Sequence, residues 1–315
     1  MIVIRRLWLA CALTACNGCS NEPIRYYEAG PLPDAATGDG GGGDGNGGDA
    51  AVGSACTPGF TFGAPMAVNG IAAGDKMFGA VTPDELTVAW VTPSGGVMYA
   101  DRTDSSQAFG AGQTLAGTYE HDRVALGADG LTLIVVMQGA AAFGQVTRAA
   151  RAQAFAGAPD TTPFAALNAT GNGESDGGRP KGYVGDPVLS ADGKQLFFSV
   201  YGSGNMVDTV ALSEKFGAGW LKPVILTQPE LGATMAGRRR PTGLSADGKT
   251  FFWWDEIDNK EKAGWRKTAT SFDLTFSGIV DLGDKKDAQP TAKCTRLYFT
   301  NPPAAPSDVK LADKS

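Results

Sequence analysis

The chain has 315 residues, one histidine, and a formal net charge of −6 from 27 Lys and Arg against 33 Asp and Glu. That acidic balance argues against a nucleic-acid partner and against electrostatic attachment to anionic lipid. A single histidine excludes a multi-histidine metal centre, and no Cys or His cluster has zinc spacing, so neither a metal nor a cofactor is expected.

Residues 1–15 read as a secretion signal. Arg5 and Arg6 precede the apolar run Leu7–Ala15, which is too short for a permanent membrane span. The run ends in Leu13-Thr14-Ala15-Cys16, which resembles a bacterial lipobox. The resemblance implies cleavage before Cys16 and acylation of its thiol and new amine. An ordinary signal peptide is the alternative. The expected location is the cell envelope, with the protein held by lipid at the outer membrane on its periplasmic or surface side. Loss of Arg5 and Arg6 with the signal takes the net charge from −6 to −8.

Residues 16–54 read as a flexible tether. The core Gly38–Gly48 is glycine interrupted only by Asp39, Asp44 and Asn46, and such a segment buries nothing. A calcium-binding Gly-Asp repeat is the alternative, but its apolar position is missing. No apolar run long enough for a transmembrane helix follows.

Residues 55–315 carry a repeat. The string L-S-A-D-G-K occurs at Leu189–Lys194 and again at Leu244–Lys249, each time leading into an aromatic-rich strand. Degenerate copies stand at Pro83–Trp90, Ala128–Val135 and Ala292–Phe299. The turn positions 84, 129, 192, 247 and 293 are 45, 63, 55 and 46 residues apart. Asp-Gly suits a tight hairpin, because Asp bonds the turn backbone and Gly takes positive φ without strain.

A second phased motif is Phe-Gly-Ala. It occurs at Phe62–Pro65, Phe109–Gly112 and Phe216–Gly219, with looser versions at Phe155–Pro159 and Phe276–Ile279, and a strand is expected after each. Between the motifs lies a third strand, expected at Val97–Ala100, Gln145–Ala149, Val207–Leu212, Trp265–Ala269 and Asp308–Leu311. Four strands per unit, repeated five times, predict an all-β, five-bladed β-propeller.

The repeat resembles that of TolB-like and WD-repeat-like propellers, whose blades carry L-S-x-D-G-x-x-L-x-F. The resemblance covers about 255 residues and is specific for fold rather than function. The third strand of that family, D-I-Y-x-A, survives best as Val97–Arg102, and the last copy has Lys293-Cys294 in place of Asp-Gly.

The phase places an outer strand, Pro65–Asn69, before the first blade and ends the chain on a third strand. The N-terminal strand is therefore expected to complete the last blade and close the ring. Cys294 sits in that blade's first turn and Cys56 precedes its outer strand. A secreted compartment permits a Cys56–Cys294 disulfide locking the closure, with two free thiols as the alternative.

Chain direction puts the hairpin turns on one face. The long connections, Asn168–Gly185, Pro229–Arg240, Asp255–Gly264 and Asn301–Ser307, fall on the other, where binding is expected. Residues at the innermost strand starts should ring the channel mouth there: Asp75 and Lys76, His121, Asp122 and Arg123, Asp186, Arg238, Arg239 and Arg240, and Asp287. Arg238–Arg240 suits a carboxylate or sulfate, although pairing with neighbouring Asp side chains is the simpler account.

No G-x-S-x-G elbow accompanies His121, and no phosphate loop is present. Two readings follow. The first is a lipid-anchored, monomeric envelope module that binds a protein or glycan without chemistry. The second is a propeller glycoside hydrolase using two of Asp75, Asp122, Asp186 and Asp287. A sialidase fits poorly, because Lys194 and Lys249 stand where its S-x-D-x-G-x-T-W box needs Gly.

Overall fold

A computed structural model describes residue 56 and residues 60–72, 74, 77–117, 119–120, 123–139, 142–169, 173–176, 179–181, 184–201, 209–226, 239–270, 276–301 and 308–315. The signal, Cys16, Cys19 and the tether lie outside the described residues.

The short strand β1 (Met66–Ala67) belongs to the last blade. Blade 1 comprises β2 (Met77–Val81), β3 (Thr87–Val91), β4 (Val97–Asp101) and β5 (Gln113–Thr114). Blade 2 comprises β6 (Ala125–Leu126), β7 (Thr132–Met137) and β8 (Ala142–Thr147), and Asp160 bridges Gln145 at its outer edge. A 3-10 turn (Thr162–Phe164), the one-turn helix α1 (Ala165–Asn168) and a hairpin of β9 (Gly173–Asp176) and β10 (Arg179–Lys181) follow.

Blade 3 contains β11 (Val184–Leu189), β12 (Gln195–Val200) and β13 (Thr209–Phe216), with β14 (Gly219–Trp220) and β15 (Val224–Ile225) both paired to β13. Blade 4 is β16 (Arg239–Leu244), β17 (Thr250–Asp255), β18 (Lys260–Trp265) and β19 (Ser277–Gly283). Blade 5 is β20 (Lys286–Pro290), β21 (Arg296–Asn301) and β22 (Asp308–Asp313), completed by β1. The fold is a five-bladed propeller whose inner strands β2, β6, β11, β16 and β20 touch one another in a closed cycle.

The aromatic second strands follow from this geometry. Successive side chains of a strand face opposite ways, and both faces of a blade are covered by neighbours. Leu196 and Phe198 pack toward blade 2, whereas Phe197 packs toward blade 4. Phe251 and Trp253 join the blade 3 side, and Phe252 joins blade 5. The core is thus five interblade clusters rather than one centre.

The turns repeat in detail. The residue after each turn position donates its N–H to the carbonyl three residues back, in Glu85→Thr82, Gly130→Gly127, Gly193→Ser190, Gly248→Ser245 and Cys294→Thr291, at 2.8–2.9 Å. That residue has φ between 51° and 71° in all five copies, which favours glycine. Cys294 takes the conformation with a side chain because its sulfur bonds Cys56 across a Cα–Cα distance of 5.3 Å.

Ring closure is as the phase predicts. Met66 and Ala67 pair with Leu311 and Lys310, and Phe62 bridges Lys314.

Two expectations are corrected. The third strand of blade 4 is Lys260–Trp265, not Trp265–Ala269, and Asp255–Gly264 is not a long loop. Asp255 pairs directly with Lys260, and Asn259 at φ 52° together with the Ile257 N–H bond to Asp255 Oδ1 (3.1 Å) closes a tight turn. Phe216-Gly217-Ala218-Gly219 leads into the expected outer strand, β15 (Val224–Ile225) on β13, but an extra short strand β14 intervenes. The motif forms the apex of the β13–β14 hairpin, so Phe216 is 76 % exposed while Phe109, Phe155 and Phe276 are buried.

Candidate functional site

The channel is lined by five topologically equivalent positions, six residues before each turn position: Phe78, Arg123, Asp186, Pro241 and Asp287. The inner strands β2, β11, β16 and β20 all carry a register shift near this level. Asp186 and Asp287 adopt φ of 46° and 60° there, which turns each carboxylate toward its own second strand.

Asp186 Oδ2 accepts hydrogen bonds from the Ser199 hydroxyl (2.9 Å) and the Tyr201 hydroxyl (2.6 Å). Asp287 Oδ2 accepts one from Thr300 (3.0 Å), whose Oγ1 in turn accepts the Phe78 N–H (2.8 Å). Both aspartates are buried.

Arg123 crosses the channel from blade 2. Only 1 % exposed, it donates to the Gly79 carbonyl of blade 1 (2.8 Å) and to the Thr242 carbonyl of blade 4. It also stands 3.5 Å from Asp287 Oδ1 of blade 5. One guanidinium thus ties four blades together.

Thr242 also donates its hydroxyl to Glu261, a fully buried carboxyl on β18. Burial, with the nearby Asp287 charge adding to it, holds the Glu261 carboxyl well above the usual range against the opposing bond from Thr242 and the Arg123 charge. The misplaced third strand hid Glu261 from sequence reasoning.

The Arg238–Arg240 run is divided. Arg239 is buried and pairs with Asp255 (3.2 Å), which also meets Lys262 (3.3 Å). Arg240 pairs with Glu256 (2.6 Å) and lies 3.9 Å from Asp186. Arg238, Asp75, Lys76, His121 and Asp122 lie outside the described residues. The structure therefore brings Arg123 to Asp287, and Arg240 to Asp186. Among the described residues no group of three His, Cys, Asp or Glu side chains is placed to hold a metal ion.

At the hairpin-turn face the channel narrows within a ring of Val81, Leu126, Leu189, Leu244 and Pro290, leaving about 10 Å³. That is room for a water molecule at most.

This face carries a second construction that the sequence reading missed. Arg102, Arg148 and Arg266 follow the third strands of blades 1, 2 and 4. Each donates Nε–H to the carbonyl in its own hairpin turn, at Glu85 (2.6 Å), Gly130 (2.9 Å) and Gly248 (2.7 Å). Each also reaches the preceding blade. Arg148 grips both oxygens of Asp101 at 2.6 Å, Arg266 donates to Gln195 Oε1 (2.8 Å), and Arg102 donates to the Tyr298 hydroxyl (3.2 Å).

Two copies of the phenylalanine motif pack here. The Arg102 guanidinium lies 4.2 Å from the Phe109 ring centroid and that of Arg148 lies 4.5 Å from Phe155. The spacing of seven residues from Arg to Phe in blades 1 and 2 was the available signal.

The fold and these features define a five-bladed β-propeller of four-stranded blades. No protein-family profile matches the chain, and no curated protein matches it. Similar solved structures include a protein described as a TolB from Agrobacterium tumefaciens (15 % identity, TM-score 0.43, 76 % of this chain and 77 % of that one). TolB from Acinetobacter baumannii is similar at 14 % identity and TM-score 0.37 over 76 % of this chain and 50 % of its own. The α-L-arabinofuranosidase PaAbf62A from Podospora anserina, solved with cellotriose, is similar at 14 % identity and TM-score 0.46 over 82 % and 97 %. Likenesses at this level carry no activity from those proteins to this chain.

Proposed function

We propose that the chain is a lipid-anchored cell-envelope protein whose propeller is a non-catalytic interaction module for an envelope protein or glycan. The observation that carries this reading is the use made of the channel carboxylates. Asp186 and Asp287 are buried and bonded to hydroxyls of their own blades, and Arg123 spends its guanidinium on holding four blades together. Groups committed in this way serve the scaffold. A glycosidase requires two carboxyl groups facing each other across a sugar-sized gap.

Two experiments test the proposal. A glycan array and cross-linking of the acylated protein in intact envelopes should yield a saturable partner without turnover. Glycan hydrolysis that is lost in a folded Asp186→Asn or Asp122→Asn variant would overturn the module reading. The anchor is tested separately by fractionation: Cys16→Ala should release the protein from the membrane fraction, and its retention there would refute the lipobox.

A further inference from the structure

On the hairpin-turn face each pair of neighbouring blades forms a notch, and four of the five are filled. Arg102 fills the notch between blades 5 and 1, Arg148 that between 1 and 2, and Arg266 that between 3 and 4. Between blades 4 and 5 the Cys56 segment takes the place of a guanidinium. The Cys56 carbonyl accepts the Thr250 hydroxyl (3.0 Å) and the Trp265 indole N–H (2.5 Å).

The notch between blades 2 and 3 is different. Its equivalent of Arg148 is Lys215, fixed by the same backbone bond to the residue two beyond the turn position (Lys215 to Lys194, as Arg148 to Leu131). Lys215 is exposed, and a cavity of about 380 Å³ opens there. The turn glycines register the same difference. An added Cβ at Gly130 or Gly248 meets the groups packed around the arginine, while at Gly193 it meets nothing within 4 Å.

Several acceptors that surround arginine elsewhere are nevertheless present, although Thr147 stands where Asp101 grips Arg148. The Gly193 carbonyl corresponds to those of Glu85, Gly130 and Gly248. Thr132 corresponds to Thr87, whose hydroxyl oxygen accepts from Arg148 (3.3 Å). Asp129 corresponds to Asp84, which grips Arg151 at 2.6 Å. Asp129, Thr132, Gln145, Asp192, Lys215 and Trp220 line the cavity. Two carboxylates against one lysine leave it net acidic, which favours a cation, and the Trp220 indole forms part of the lining.

We infer that the notch between blades 2 and 3 receives an arginine side chain supplied by a partner protein. The guanidinium takes the place that Arg148 and Arg266 occupy in the neighbouring notches. The inference rests on the interaction-module reading only in drawing the arginine from a partner; the notch itself is independent of the channel. Phe216, 76 % exposed beside Lys215, extends the contact surface at its rim.

The test titrates the full-length protein with N-acetyl-arginine amide, using N-acetyl-lysine amide and free arginine as comparisons, with binding read by saturation-transfer NMR. The blocked arginine should bind saturably and about tenfold more tightly than the blocked lysine, since only the planar fork meets several acceptors at once. Lys215→Arg fills the notch from within and should abolish binding while raising the thermal midpoint. Asp129→Asn keeps the turn, because an amide oxygen still accepts the Leu131 N–H, and should weaken binding about fivefold. No saturable binding, equal binding of the lysine probe, or binding untouched in both folded variants would overturn the site. Tighter binding of free arginine than of the blocked form would overturn the protein source. A failed titration alongside a partner captured elsewhere on the propeller would leave the module reading standing.

Discussion

The closure of the ring gives the most demanding quantitative test. Cys56 and Cys294 are separated by 238 residues, so their bond constrains nearly the whole propeller in the unfolded state. Chain-entropy reasoning for a loop of that length gives about 5.5 kcal/mol, which residual structure in the denatured state reduces. The Cys56→Ala/Cys294→Ala variant should therefore lose about 3 to 5 kcal/mol, and its thermal midpoint should fall by about 10 °C for a domain of this size. Urea unfolding with and without reductant is the assay. The midpoint should drop on reduction while the slope m rises, because the unlinked denatured chain exposes more surface.

A companion variant separates the cross-link from the turn. Cys294 has φ 51°, a conformation that costs an ordinary side chain about 1 kcal/mol and costs glycine little. Cys56→Ala/Cys294→Gly should be more stable than Cys56→Ala/Cys294→Ala by about that amount. A reduction effect below about 1 kcal/mol would show that the strand pairing of Met66 and Ala67 with β22 carries the closure, and would refute the reasoning.

Other substitutions probe the scaffold. Arg148→Lys, which cannot hold both Asp101 oxygens and the Gly130 carbonyl together, should cost about 3 kcal/mol in urea unfolding, against under 1 kcal/mol for an exposed ion pair. Glu261 binds its proton more tightly folded than unfolded, so between its ordinary and its raised pKa the native state carries more protons and stability falls as pH rises. Glu261→Gln should remove that decline and be more stable than the parent near neutral pH, as read from thermal midpoints across a pH series. Gly193→Ala and Gly248→Ala share a φ of 69° and should each lose about 1 kcal/mol from backbone strain. Gly248→Ala should lose about 1 kcal/mol more, because its Cβ would stand 3.0 Å from that of Ala269.

Much of the architecture was legible because it depends on local chemistry repeated in phase. A turn that needs positive φ writes Asp-Gly into the sequence, and a strand buried on both faces writes Leu-Phe-Phe or Phe-Phe-Trp-Trp. Even the degraded copy was informative: Lys293-Cys294 stands where Asp-Gly is expected, and Cys294 has another bond to make. The third strand of blade 4 was misread because Lys260-Glu261-Lys262 looks like a solvated loop. In the structure Glu261 is buried at the channel, while Lys260 and Lys262 are answered by Asp281, Asp255 and Asp258. Glu261 and Lys260, whose partners Thr242 and Asp281 stand on other strands of the blade, leave no local pattern to read. The same applies to Arg123, whose partners lie on three other blades.

The two ends of the channel differ in what they leave free. At the level of Asp186 and Asp287 the polar groups of different blades neutralise one another, so the centre is specified by long-range pairs and resists exchange of any single member. At the hairpin-turn face the same blade-to-blade cohesion is achieved by an arginine in three notches and by the Cys56 segment in a fourth, a modular device that the remaining notch omits. Blade 3 omits it, and also turns its Phe-Gly-Ala motif outward, so guanidinium and aromatic partner are lost together. Simple decay of the repeat would leave an unsupported apolar hole. What remains instead is a notch lined by carboxylates, a hydroxyl, an amide and an indole, beside an interblade core that the helix α1 and the stacked Phe164 and Trp220 rings hold shut from the outer side.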